Sequence, residues 1–246
     1  MELSPLEIAY CGVVLVLSYA VRGSTGFGSA AAMPLMGLVV PLRILVPLWT
    51  LMGIVSSATI LGRDRRHVSR NDILPLLPAC LLGVAIGLYF FKTLDVRTLT
   101  RGLGLLVIAY GLYSLWITLR APARWRLPAR VVGPVAGLLS GVVGTTFGTM
   151  ASLFFAAYLD ARQLDKVQYR ATMSGLILGL SIVRSIGYFA VGEFGLEVWV
   201  GFALALPMML LGVFLGDRIH AGLSDLAFRR VVSGALVASG LALLLK

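Results

Sequence analysis

Charge is what this chain has least of. Only 13% of its 246 residues are charged, against roughly a quarter in soluble domains, while 59% are hydrophobic. A water-soluble globular class is therefore excluded first. Acidic residues are scarcer still, 11 against 21 Lys and Arg, and none of the 11 sits in the middle of an apolar stretch. Proton and sodium carriers usually need an intramembrane carboxylate, so a cation-coupled site has no obvious seat. There are two cysteines and two histidines. Cys11 and Cys80 lie inside apolar segments and read as free buried thiols, and His67 and His220 lie in loops without partners at ligand spacing. No metal site and no cofactor is expected. Catalytic fingerprints (Gly-x-Ser-x-Gly, Walker A, a dinucleotide glycine motif) are missing too, so the chain is not expected to be an enzyme. The N-terminus lacks a basic n-region and a small-residue cleavage site, so no removable leader is expected.

What the chain has is long apolar runs. Residues 131–159 and 231–245 contain no Asp, Glu, Lys or Arg. A hydrocarbon core ~30 Å thick needs ~20 apolar residues per helix, so several such runs predict an all-α, multi-pass membrane protein. Apolar stretches fall near 6–22, 25–40, 43–62, 73–91, 99–118, 131–143, 146–159, 167–191, 196–216 and 226–245. The net charge of +10 does not point to nucleic acid, because the basic residues sit in short loops where membrane orientation explains them.

The chain also repeats itself. Pro78-x-x-Leu81-Leu82-Gly83-Val84-x-x-Gly87 recurs 129 residues later as Pro207-x-x-Leu210-Leu211-Gly212-Val213-x-x-Gly216. Arg101 and Gly111-Leu112 match Arg230 and Gly240-Leu241 at the same offset, and Thr25-x-Phe27-Gly28 matches Thr145-x-Phe147-Gly148 at an offset of 120. A single transmembrane domain, 1–246, is expected to hold repeat one at 1–120 and repeat two at 130–246. The Gly-x-x-x-Gly pairs permit close helix approach, either within the chain or in a homodimer.

As one helix, 131–159 would be about 43 Å long, too long for the hydrocarbon core. It carries Gly144-Thr145-Thr146-Phe147-Gly148 at its middle, and Gly23-Ser24-Thr25-Gly26-Phe27-Gly28 occupies the matching place in the first half. Each is expected to break the helix and turn it back, giving a broken-helix hairpin followed by three transmembrane helices. Basic residues test the idea. With both hairpins returning to their own side, 14 lie on one face and 5 on the other, a positive-inside bias; with single crossings the split is ten against nine. The hairpin arrangement makes the halves inverted repeats and puts both termini on the periplasmic side of a bacterial inner membrane.

Two basic residues escape that count, Arg22 and Arg184, and both lie within apolar sequence. A charge at membrane depth costs ~2.5–3.5 kcal/mol, so such residues pair, snorkel or line an aqueous path. Ser181, Arg184 and Tyr188 share a helix face by spacing. Arg22, Ser24, Thr25, Gly26, Phe27 and Gly28, with Thr145, Thr146, Phe147, Gly148, Ser181, Arg184 and Tyr188, form the expected substrate site. There, free N–H groups at helix starts and hydroxyls would bind an anion. The chain is thus expected to carry a small anion across the bilayer, with a passive anion channel or a carboxylate carrier as the alternative.

The Gly23–Gly28 and Gly141–Gly148 runs opening the two halves resemble those of the TauE/SafE family, across nearly the whole chain. The family often shows a denser glycine run followed by proline; here Pro34 follows the first run, Ser29-Ala30-Ala31 replaces further glycines, and the second run has no such proline. The resemblance implies a plasma-membrane exporter of sulfite or an organosulfonate such as sulfoacetate or sulfolactate.

Overall fold

The computed structural model describes residues 4–25, 31–120, 129–218 and 225–246, and these form α-helices without strands. The order is α1 (Pro5–Thr25), α2 (Ala32–Gly37), α3 (Leu42–Asp64), α4 (Arg70–Ile73), α5 (Leu77–Thr93), α6 (Val96–Arg120), α7 (Ala129–Phe147), α8 (Ala151–Arg162), α9 (Lys166–Ala190), α10 (Leu196–Arg218) and α11 (Asp225–Leu245). Six stretches are long and apolar enough to cross a membrane: 5–22, 42–62, 70–93, 96–116, 167–190 and 196–216. Two shorter apolar stretches, 131–147 and 232–245, accompany them.

Local chemistry sets several helix starts. Ser4 and Glu7 form a reciprocal cap before α1, the Ser4 amide donating to the Glu7 carboxylate at 2.8 Å and the Glu7 amide to Ser4 Oγ at 3.3 Å. Asp165 accepts from the amides of Val167 and Gln168 at the start of α9, and Asp95 accepts from Arg97 and Thr98 at the start of α6. Those Thr98 contacts hold the exposed Asp95 carboxyl below its ordinary range.

Packing sorts the helices into an inner pair and an outer set. The span of α3 is 61% buried and that of α9 44%, whereas α5, α6 and α10 stand at 28%. The outer helices turn Leu81, Leu82, Tyr89, Leu105, Leu112, Leu204 and Leu211 outward, as lipid-facing surfaces require. In the interior α3 and α9 cross antiparallel, with Gly53 against Ser181. α1 runs parallel to α10, where Gly12 faces Met208 and Gly212 faces Val16, and α7 runs parallel to α5, where Gly141 faces Cys80 and Gly83. α6 and α11 lie antiparallel, Gly104 against Gly240 and Gly111 against Ser233.

These contacts give the bundle two ends. At one, Arg43 of α3 meets Glu193 and the carbonyls of Lys92 and Leu94; at the other, Asp72 of α4 meets Arg162 of α8. α10 leaves the Arg43 end and α5 arrives there, so α1 and α7, parallel to them, enter from opposite ends. α2 returns along α1, with Tyr10 Oη donating to the Leu35 carbonyl at 3.1 Å. α8 returns along α7, with Ser140 Oγ donating to the Ala151 carbonyl at 2.9 Å.

The second break falls later than the sequence predicts. α7 runs unbroken through Gly144, Thr145, Thr146 and Phe147, and the chain turns at 148–150, where Gly148 (φ 74°) and Met150 (φ 65°) take left-handed conformations. Gly144 serves packing instead: a Cβ there would lie 2.9 Å from the Ala151 side chain, so glycine lets α8 start against α7. In the first half the returning helix is also shorter than the predicted 25–40, and residues 26–30, the expected break, lie outside the described residues.

Candidate functional site

A small cavity of about 40 Å³ lies where the inner helices meet the end of α1 and the second break. Arg22 of α1 and Trp49 and Gly53 of α3 line it from the first half. From the second half come the break and the start of α8 (Gly148, Thr149, Met150, Ala151, Ser152) and the α9 face formed by Ile177, Leu180, Ser181 and Arg184.

Both arginines are 4% exposed. One Arg22 Nη donates to Ser57 Oγ at 2.7 Å, tying α1 to α3, while its Nε has no hydrogen-bond partner among the described residues. Arg184 has less: its Nε and Nη2 are both without a partner, and its guanidinium lies 5.9 Å from the Tyr188 ring centroid. Among the described residues no Asp or Glu lines the cavity. Two guanidiniums thus face one cavity that has no carboxylate among the described residues lining it, and an unpaired buried charge costs several kcal/mol unless something compensates it. The start of α8 adds to the field, because its first amides have no acceptor within the helix and its positive dipole end points at the cavity.

Of the predicted residues, the structure brings together Arg22, Gly148, Ser181 and Arg184. Thr145, Thr146 and Phe147 do not line the cavity; they form the last turn of α7, a carbonyl end rather than the N–H end expected of them. Tyr188 is likewise outside it, its hydroxyl donating to the Thr145 carbonyl and its ring packed edge-on against Phe91. Thr146 Oγ1 donates across to the Gly87 carbonyl at 3.4 Å, a helix-packing role. Ser24 and Thr25 end α1, their side chains outside the described set, and Gly26, Phe27 and Gly28 lie outside the described residues.

Sequence reasoning missed Trp49, Gly53 and Ser57, which face inward from α3 and whose i, i+4, i+8 spacing was the available signal. It also missed Thr149, Met150 and Ser152, displaced from the glycine run that marked the break. The helix-start idea survives with different residues: 150–152 in place of 145–148.

Comparison with known proteins places the whole chain. A model of the family described as sulfite exporter TauE/SafE matches residues 10–243. A Comamonas testosteroni protein named "Probable inner membrane transporter protein TsaS" is 30% identical over 188 residues, 74% of this chain and 75% of that one. A Cupriavidus necator protein named "Probable sulfite/organosulfonate exporter TauE" is 26% identical over 233 residues, 90% of this chain and 87% of that one. No solved structure matches the chain significantly. With the family match covering nearly its whole length and six apolar helices able to span a bilayer, the chain belongs to the sulfite exporter TauE/SafE family of multi-pass membrane transporters.

Proposed function

We propose that this transporter exports a small oxyanion, sulfite or an organosulfonate such as sulfoacetate, with Arg22 and Arg184 as its ligands. The observation that carries the reading is the pair of buried guanidiniums whose N–H groups at Nε and, for Arg184, Nη2 find no protein acceptor. An oxyanion supplies both the missing charge and the missing acceptors, and charge-assisted bonds of this kind are about twice as strong as neutral ones. Ser181, Ser152 and the α8 start provide further donors. The cavity has room for roughly three waters, which suits a bare oxyanion better than a longer sulfonate. The Cupriavidus necator relative, by its name, handles the same class.

The halves 1–120 and 130–246 are then inverted repeats, each a hairpin and three helices. The oppositely entering hairpins and the matched glycine contacts support this reading, and inverted repeats around a central site suit alternating access. The basic end, with the α3–α5 and α8–α9 connections, faces the cytoplasm, and both termini face the periplasm. The inverted halves around one central site favour a carrier over a passive channel.

The test is flux in proteoliposomes. Labelled sulfite, sulfoacetate and a small carboxylate are compared for the natural protein, Arg184→Ala and Arg184→Lys. Sulfite is expected to move fastest, Arg184→Ala to abolish flux, and Arg184→Lys to restore part of it. Undiminished sulfite flux in Arg184→Ala would remove Arg184 from the site. No flux of any of the three anions would remove the substrate class.

A further inference from the structure

Two ion pairs stand at opposite ends of the bundle, and each joins one half of the chain to the other. At the first end Arg43, opening α3, donates to Glu193 in the α9–α10 turn at 3.0 Å. At the second, Arg162, closing α8, donates to Asp72 of α4, which also accepts from Ser69 Oγ at 2.5 Å. The arginines lie 119 residues apart and the carboxylates 121, close to the offset of 120 relating the two Thr-x-Phe-Gly runs. One half contributes the arginine at one end and the carboxylate at the other.

Each pair caps a wall of packed side chains between the cavity and its own end. Toward Arg43 the wall is Met33, Val46, Phe91 and Tyr188, all fully buried; toward Asp72 it is Phe155, Leu159 and Met173, equally buried. The two pairs lie toward opposite ends of α9. Thr172, which accepts from the Ser69 amide, lies nine residues before Ser181, roughly 14 Å along α9, and Glu193 lies in the turn just past the other end of that helix. In each pair the arginine is the solvated partner, 33% exposed at Arg43 and 43% at Arg162, against 16% for Glu193 and 3% for Asp72, so the arginine is the side chain free to swing away.

We propose that Arg43–Glu193 and Asp72–Arg162 are the two gates of the transport cycle, each closing one mouth of the central cavity and breaking when that mouth opens. The elements they clamp differ. Arg43 also donates to the Lys92 and Leu94 carbonyls, so its pair ties α3 to the α5–α6 and α9–α10 turns. Arg162 ties the α8 end to α4, and Ser69 ties that segment to α9. Opening one mouth thus leaves the other clamp in place, as alternating access demands. The inference rests on a solute passing through the cavity and not on which anion it is.

The test needs no substrate. In a Cys11→Ala, Cys80→Ala background, Ser152→Cys places one thiol in the cavity. Its labelling by a small, impermeant thiol reagent is measured in intact cells and in inside-out vesicles. The ratio of the two rates cancels differences in folded amount. Glu193→Gln is expected to shift that ratio toward one side and Asp72→Asn toward the other, by about threefold to fivefold each. The opposite signs hold whichever end faces out. Shifts of the same sign, unchanged ratios or no labelling from either side would overturn the gates, while the anion site of the proposed function would stand on its own flux measurements.

Discussion

Arg184 is the residue on which function and stability pull apart. Its guanidinium is buried with two nitrogens unpaired and no carboxylate beside it, so in the empty protein it destabilises the fold. Arg184→Gln, which is two atoms shorter and keeps a polar amide but removes the charge, is expected to raise the melting temperature of the detergent-solubilised, anion-free protein by the equivalent of about 1–3 kcal/mol. Sulfite at 100 times its Kd would stabilise the natural protein by about 2.7 kcal/mol and leave the variant unmoved. Thermal melts with and without sulfite check both halves. Arg22→Gln is expected to gain less, because Arg22 already donates to Ser57 and its removal strands that hydroxyl. Equal stabilisation of the variant and the natural protein by sulfite would place the anion elsewhere. Both arginines were visible in the sequence because a cation inside an apolar run stands out. Trp49, Gly53 and Ser57 stood out less, because small and hydroxyl residues are common inside membrane helices and carry no charge to mark the inward face.

Among the elements, glycine does two different jobs that its spacing alone does not separate. At Gly148 the backbone is left-handed and a Cβ would meet the Met33 side chain and lie 3.3 Å from Val46, so this glycine makes the turn between α7 and α8. At Gly144 the helix continues and the missing Cβ admits α8. That is why the break appeared four residues early in the sequence: Gly and Thr lower helix propensity by less than packing against α5 and α8 recovers. The Gly-x-x-x-Gly pairs, whose spacing suits either a homodimer or packing within the chain, make helix contacts inside the chain. Gly83 and Gly212 both bring their helices against the first limb of the other half's hairpin, and a Cβ at Gly212 would lie 2.6 Å from the Val16 carbonyl oxygen. Gly212→Ala is expected to cost about 1–3 kcal/mol by forcing α1 from α10. Gly234→Ala, in α11 with nothing within 4 Å of its Cβ, is expected to stabilise by about 0.4–1 kcal/mol. Denaturation of the two variants in mild detergent separates the roles, and equal effects would refute the close approach of α1 and α10.

For the whole molecule, the charge that is missing matters as much as the charge that is present. The cavity holds two cations and, among the described residues, no carboxylate, so nothing in it is suited to carry a proton or a sodium ion beside the anion. On the proposed function, export would draw on the membrane potential, which favours outward movement of each negative charge by ~2.3 kcal/mol per 100 mV, negative inside. The proposed orientation would supply the same sense: a basic end at the cytoplasmic mouth would hold anions there, and the Arg43 end, with fewer cations, would release them. Efflux from potassium-loaded vesicles, with valinomycin setting the potential and no pH gradient, is therefore expected to rise with an interior-negative potential. It should change little when a pH gradient is imposed at constant external and internal anion charge. A steep dependence on the pH gradient with none on potential would mean that a proton travels with the anion. The carboxylates nearest the path, Asp72 and Glu193 at the two ends, would then be the groups to examine for its passage.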